Sequence, residues 1–308
     1  MRIVFAAPAG LYRPLLETAG VQHYLATYYN PVDYRAAIKT AQAQPGTCTL
    51  IVDSGAFSAW NSGKSIDVVK YAAFIRQFQQ EHGALFRELI FVNLDVIPGA
   101  PGQTITHAQG IAAAEQGFRN YEYLLKETHA AIMPVYHQGE DLSWCQRYLD
   151  INVTYFGISP SNDIQTERRA KWLDVVFPLV PDTVRVHGLA VTSPALMYQY
   201  PWFSVDSITY KMKSGMGGFM LLVADPEPRL LSYDHSTRRC DLPLPGPGRD
   251  AIQQVLTALD PRFTLDGLRE SYQLRCEVNI QSFLALERWI NSRPCPKAYQ
   301  QQPVFNFA

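Results

Sequence analysis

Leu50-Ile-Val-Asp-Ser-Gly-Ala-Phe57 sets a short apolar run against an aspartate and a turn of small residues. An apolar run of this length, closed by a turn signal, is the pattern of a strand buried on both faces. After Ser65, the residues Val68, Tyr71, Ala72, Ile75 and Phe78 recur on one face of a helix. Leu89-Ile-Phe-Val-Asn-Leu94 then reads as a second buried strand. A strand, a crossover helix and another strand predict parallel pairing.

The same alternation extends in both directions. Strands are expected at Ile3–Ala7, His23–Tyr28, Leu50–Asp53, Leu89–Leu94, Ala131–Tyr136, Thr154–Ile158, Val184–Gly188 and Trp202–Val205. Asn162 or Asp163 is placed to cap a helix running through Trp172 and Leu173. Eight parallel strands close into a (β/α)8 barrel, the TIM-barrel form of α/β architecture. The open dinucleotide-binding sheet is disfavoured because no G-x-G-x-x-G follows the first strand. Beyond Val205 the alternation stops, a Pro-rich stretch runs Leu242-Pro-Leu-Pro-Gly-Pro-Gly248, and Ile280, Phe283, Leu286, Trp289 and Ile290 form one side of a late helix. The expected organisation is a catalytic barrel over 1–206 and a mostly helical extension over 207–308 packed on it.

The 308 residues are 47% hydrophobic and 18% charged, the composition of a globular chain with a large core. A net charge of -1 gives no global attraction to a polyanion, so nucleic acid would have to be held locally. Lys211, Lys213, Arg229, Arg238 and Arg239 are the candidates. Five cysteines without close pairing, behind a start with no cleavable signal, lead us to expect a reducing cytoplasm. No apolar run approaches the roughly 18 residues of a membrane helix, so no membrane partner is expected.

Barrel enzymes carry their chemistry at the C-terminal ends of the strands. That filter selects Asp53-Ser-Gly-Ala-Phe57, Asn93-Leu-Asp95, His137-Gln-Gly-Glu140, Gly157-Ile-Ser-Pro160, His187-Gly-Leu-Ala190 and Asp206-Ser-Ile-Thr-Tyr-Lys211. Asp53, Asp95 and Asp206 on one rim would crowd three carboxylates, which separates their pKa values and hence their roles. Each taken alone also reads as a helix cap. Gln138, Gly139 and Gly157 could present an amide and bare backbone to a flat heterocycle, or serve as turn residues. His137 and His187 are each open to a structural or a functional reading. No metal is expected, since C-x-x-C and H-E-x-x-H are absent; His235, Cys240, Cys276 and Cys295 are an irregular alternative, with buried thiols preferred.

These motifs, in this order, resemble the tRNA-guanine transglycosylase superfamily over roughly residues 50–217, and most closely its DNA-acting 7-deazaguanine transglycosylase branch. Asp53-Ser-Gly-Ala-Phe57 is similar to the family's D-S-G-G-F, Asn93-Leu-Asp95 to its base-reading aspartate segment, and Val135-Tyr-His-Gln-Gly139 to V-Q-G-G. Tyr155-Phe-Gly-Ile158 and Val184-Arg-Val-His-Gly-Leu189 match the next two strands, and Phe203-Ser-Val-Asp-Ser207 the nucleophile segment. The resemblance implies base exchange, with Asp206 attacking the sugar and Asp53 moving protons. It places Ser54, Phe57, Asp95, Gln138, Gly139, Gly157 and His187 around the base, and Lys211, Lys213, Arg238 and Arg239 on phosphates. It implies a guanine or 7-deazaguanine base, DNA ahead of tRNA as acceptor, a bacterial or phage-infected cell, and no cofactor. The family's zinc motif has no counterpart here, and Ala56 and Glu140 replace glycines of its motifs. A tRNA-acting enzyme, a hydrolase of the same bond and a catalytically silent nucleic-acid-binding barrel are the competing readings.

Overall fold

The structure, a computed structural model, describes residues 1–99, 106–161, 165–224, 228–234, 239–240 and 248–297. Nine short parallel strands form one sheet among the described residues: β1 (Arg2–Ala6), β2 (His23–Thr27), β3 (Thr49–Asp53), β4 (Glu88–Val92), β5 (Ile132–Met133), β6 (Val135–His137), β7 (Tyr155–Ser159), β8 (Arg185–Gly188) and β9 (Ser204–Ser207). Their order is β5-β4-β3-β2-β1-β9-β8-β7-β6, so the two ends of the sheet are consecutive in sequence. Pro134 separates them. It has no N–H to donate, which interrupts one expected strand into two halves. β5 pairs with β4 and β6 with β7, and the sheet thereby wraps into the expected eight-position barrel.

The strands are surrounded by α1 (Tyr12–Thr18), α2 (Pro31–Ala43), α3 (Ala56–Asn61), α4 (Val68–His82), α5 (His107–Thr128), α6 (Leu142–Asp150), α7 (Thr166–Val176), α8 (Pro194–Gln199) and α9 (Thr209–Gly215). Local chemistry sets several starts: Asn30 caps α2 ahead of Pro31, Asp67 caps α4, and Thr106 with Gln109 makes a capping box on α5. The cap expected at Asn162 or Asp163 lies outside the described residues. Strand alternation divides the core in two. Ile3, Phe5, Leu50, Val52, Phe91, Phe156 and Val205 point outward and pack under the helices, whereas Val4, Ile51, Ile90, Val92, Met133, Val135 and Tyr155 fill the barrel interior.

After α9 the chain forms an antiparallel meander, β10 (Gly218–Ala224), β11 (Pro228–Asp234) and β12 (Arg239–Cys240). The meander was not among the expected elements of the mostly helical extension. Then come α10 (Gly248–Leu259), α11 (Leu265–Glu270) and α12 (Tyr272–Asn291). The extension has its own small core of Phe219, Leu221, Ile252, Leu256, Phe263, Leu265, Leu268 and Val278. α12 also reaches the barrel, where Ile280, Phe283, Leu286 and Ile290 join the main core. No helix among the described residues is long and apolar enough to cross a membrane.

Candidate active site

Asp53 ends β3 at the C-terminal rim, and the turn beyond it demands glycine. Gly55 has φ +81°, and a Cβ there would lie 2.4 Å from Tyr29 Cβ and 2.7 Å from Thr27 Oγ1. Its N–H donates to Asp53 Oδ2 at 3.1 Å. Loss of solvent, reinforced by the negative charges of Asp95 and Asp206, raises the Asp53 carboxyl from the ordinary carboxylate range to about 7, against the pull of the Gly55 and Ser54 amides. A proton is therefore shared with Asp53 at neutral pH. Asp95 and Asp206 thus both lie near enough to Asp53 for their charges to act on it.

Asp206 has different surroundings. It lies on β9 two positions after Ser204, so both face the barrel interior. Asp206 Oδ1 accepts from the Ala190 N–H at 2.7 Å and from His187 Nε2 at 3.3 Å. Ala190 takes the left-handed conformation, φ 51°, in the loop after β8, a strain that a non-glycine residue accepts only where the surroundings enforce it. His187 is fully buried, with Nδ1 2.6 Å from Ser204 Oγ, which also bonds the Tyr155 hydroxyl. Serine, histidine and aspartate in one chain suggest a hydrolase triad, but Ser204 is only 1% exposed and sits below the histidine. The end that meets the mouth is Asp206.

The third aspartate is paired. Asp95 Oδ2 accepts from His137 Nε2 at 2.8 Å, and Glu140 Oε2 accepts from the His137 backbone N–H at 3.1 Å. Burial opposes the imidazolium, yet the hydrogen bond and charge of Asp95 outweigh it and raise the His137 pKa. Glu140 is raised by burial, with His137 acting against the shift. Sequence reasoning left His137 undecided. Its signal was the two-residue spacing on β6 that turns Val135 and His137 to the same face.

The remaining expected residues are distributed as follows. Gln138 Oε1 accepts from Ser161 N at 3.0 Å, which ties the loop after β6 to the loop after β7. Gly139 has φ +108° with open space at its Cβ position. Gly157 is required for packing, because a Cβ would sit 2.8 Å from Leu189 Cδ1 and 3.0 Å from the Pro134 carbonyl. Ser54 is fully buried and its Oγ accepts from Ala56 N at 3.4 Å, whereas Phe57 is 64% exposed beside Trp60. Lys211 places its ammonium 4.5 Å from the Tyr12 ring centroid, and Lys213 is half-buried. Arg238 and His235 lie outside the described residues, and no side-chain placement is described for Arg229, Arg239 or Cys240. Cys276 lies in the first turns of α12 and Cys295 beyond its last, so at about 1.5 Å per residue they are more than about 20 Å apart and cannot share one ion. Among the described residues no three His, Cys, Asp or Glu side chains are grouped to hold a metal. The clefts lined by Gln79, Leu89 and Ala131, and by Leu15, Phe263 and Glu277, include none of the three aspartates.

No family model matches the chain, and no curated protein matches it. Solved structures do. A native KDPGal structure aligns over 95% of this chain and 97% of its own at 8% identity and a TM-score of 0.45. KGPDC from Streptococcus mutans aligns over 67% of this chain and 86% of its own at 10% identity and a TM-score of 0.35. Likeness at that level says nothing of the chemistry, and the barrel assignment stands on strand order and register.

Proposed function

We propose that this chain is a base-exchange transglycosylase, a pentosyltransferase that replaces guanine in nucleic acid, DNA ahead of tRNA, with a 7-deazaguanine derivative such as preQ0. The observation that carries the reading is the contrast between two carboxylates on one rim. Asp53 is desolvated and flanked by negative charge, which lifts its pKa to about 7. Asp206 accepts two N–H bonds on one oxygen, and Oδ2 accepts none among the described residues. Environments that differ in this way divide a carboxylate pair into acid and nucleophile.

In this mechanism Asp206 Oδ2 attacks C1′ of the target nucleotide as the C–N bond to guanine breaks, and Asp53 delivers a proton to the departing base. Asp53 then accepts a proton from the incoming base as that base attacks C1′ and releases Asp206. Two inversions give net retention. The cationic character at C1′ is stabilised by the carboxylates around it. Asp95, oriented by His137, faces the base edge together with Gln138. The target nucleotide must leave its stack to reach the rim, at a cost of a few kcal/mol in a duplex. Lys211 and Lys213, with Arg238 and Arg239, are assigned to phosphates.

The test is incubation of the protein with labelled guanine or preQ0 and, separately, DNA or tRNA, followed by nucleoside mass analysis. Label in DNA nucleosides supports the reading. Free guanine with no label incorporated indicates a hydrolase, and binding without either product indicates a silent barrel.

A further inference from the structure

The hydrogen-bond chain beneath Asp206 has a direction that the proposed mechanism leaves unused. Tyr155, Ser204 and His187 stand on β7, β9 and β8 and all point into the barrel, with Tyr155 6%, Ser204 1% and His187 0% exposed. Register brings them together: His187 pairs with Gly157 and with Ser204 across the two ladders. The tyrosine hydroxyl meets Ser204 Oγ, Ser204 Oγ meets His187 Nδ1 at 2.6 Å, and His187 Nε2 meets Asp206 Oδ1 at 3.3 Å.

With a neutral imidazole, one arrangement of protons satisfies every member. An ionised Asp206 only accepts, so His187 must carry its proton on Nε2. A neutral imidazole then accepts at Nδ1, so the Ser204 O–H points at the ring and Ser204 Oγ accepts from Tyr155. Every O–H and N–H in the chain points towards the rim. The opposite orientation would turn a bare Nε2 lone pair on the carboxylate, two acceptors facing each other in a dry interior.

We infer that Tyr155, Ser204 and His187 are positioning residues that lock His187 in its Nε2–H tautomer and so hold Asp206 Oδ1, leaving Oδ2 aimed at the mouth. This replaces the base-contacting role expected for His187, whose side chain is sealed below the carboxylate. The kinetic part rests on the transglycosylase reading, with Asp206 as nucleophile; the tautomer does not.

The two parts are tested separately on the intact protein. Nitrogen-15 NMR of histidine-labelled protein, with the His187 signals assigned by their loss in His187→Gln, reads the tautomer without turnover. A protonated Nε2 with an unprotonated Nδ1 supports the inference, and a shift towards a tautomer mixture in Ser204→Ala or Tyr155→Phe supports the relay. A protonated Nδ1 in the wild type overturns it, as does a His187 signal indifferent to both substitutions. For turnover, His187→Leu should lower kcat by about 10–100-fold with KM unchanged, the scale typical of partners that orient a functional group one step removed. His187→Gln, which keeps an N–H near the Nε2 position, should recover most of the loss. A change in KM alone, or equal loss in both variants, would refute the positioning role. Wild-type protein without base exchange would remove the transglycosylase reading while the NMR result still decides the relay.

Discussion

The two ends of the barrel treat charge in opposite ways. At the N-terminal face Arg2, Glu88 and Arg185 each open a strand, and Glu88 bonds both arginines. The guanidinium of Arg2 lies 4.5 Å from the Phe203 ring centroid and that of Arg185 4.6 Å from that of Tyr155. Opposite charges alternate there and aromatic faces cover the cations. At the C-terminal rim, Asp95 and Asp206 crowd Asp53 with negative charge, and His137 and His187 are hydrogen-bonded to Asp95 and Asp206. One end is arranged for stability. The other carries an electrostatic cost that stability alone does not explain, which is what a site of chemistry looks like.

The contrast is sharpened most strongly by Asp206→Asn. Base exchange should fall by about 10³-fold or more, because the attacking charge is lost while shape and strand binding remain. Labelled-base incorporation beside a binding assay checks this, and activity surviving in the variant would break the comparison. Asp53→Asn should lower exchange by about 10²–10⁴-fold and leave a strand attached to Asp206, visible as a denaturation-resistant adduct.

The same Asp53 variant has a thermodynamic signature. Because the folded-state pKa is raised to about 7, the native protein binds more protons than the unfolded chain from about pH 4 upward. Stability therefore declines as pH rises through that window, and the full penalty is present above it. Asp53→Asn removes the penalty. Thermal melts should show the variant more stable than wild type at pH 8, by about 2–4 kcal/mol, and no more stable near pH 4.

The opposite end predicts the converse. Glu88→Gln should cost about 1–3 kcal/mol in chemical denaturation, through two partly buried arginines left without a counter-charge, and should leave kcat unchanged. The smallest stability effect is expected for Phe57→Ala, within about 0.5 kcal/mol because the ring is exposed, with a raised KM for nucleic acid if it stacks on a base.

Much of the barrel could be read in advance because a doubly buried strand has few ways to be written. Each expected strand overlaps an observed one, and Pro134 alone divided one of them. The meander was missed because Phe219–Val223 and Leu230–Tyr233 follow the point where strand and helix ceased to alternate, and an apolar run without that context reads equally well as helix. At the site, the carboxylates were legible from their places at strand ends. The surroundings of His187 were not legible because they are set by register: nothing in the sequence says that residue 187 meets Ser204, or that Tyr155 lies beneath both. Ser204 and Asp206 did carry a signal, since a two-residue spacing puts them on one face of a strand.

The closure of α12 over β1 has a consequence in time. The N-terminal amine donates to Asn291 Oδ1, across 290 positions, and Ile3 N donates to Glu287 Oε2, across 284. During synthesis, at roughly 5–20 residues per second, the first strand would wait tens of seconds for the helix that covers it. Contacts this distant in sequence slow folding, because loop closure must precede any gain from them. A chain halted after Ser207 would have every strand of the barrel yet leave Phe5 without Tyr210 and Phe283, its edge-to-face partners. Completion of the barrel wall and burial of its first strand are thus separate events, divided by the synthesis of the segment from α9 to α12.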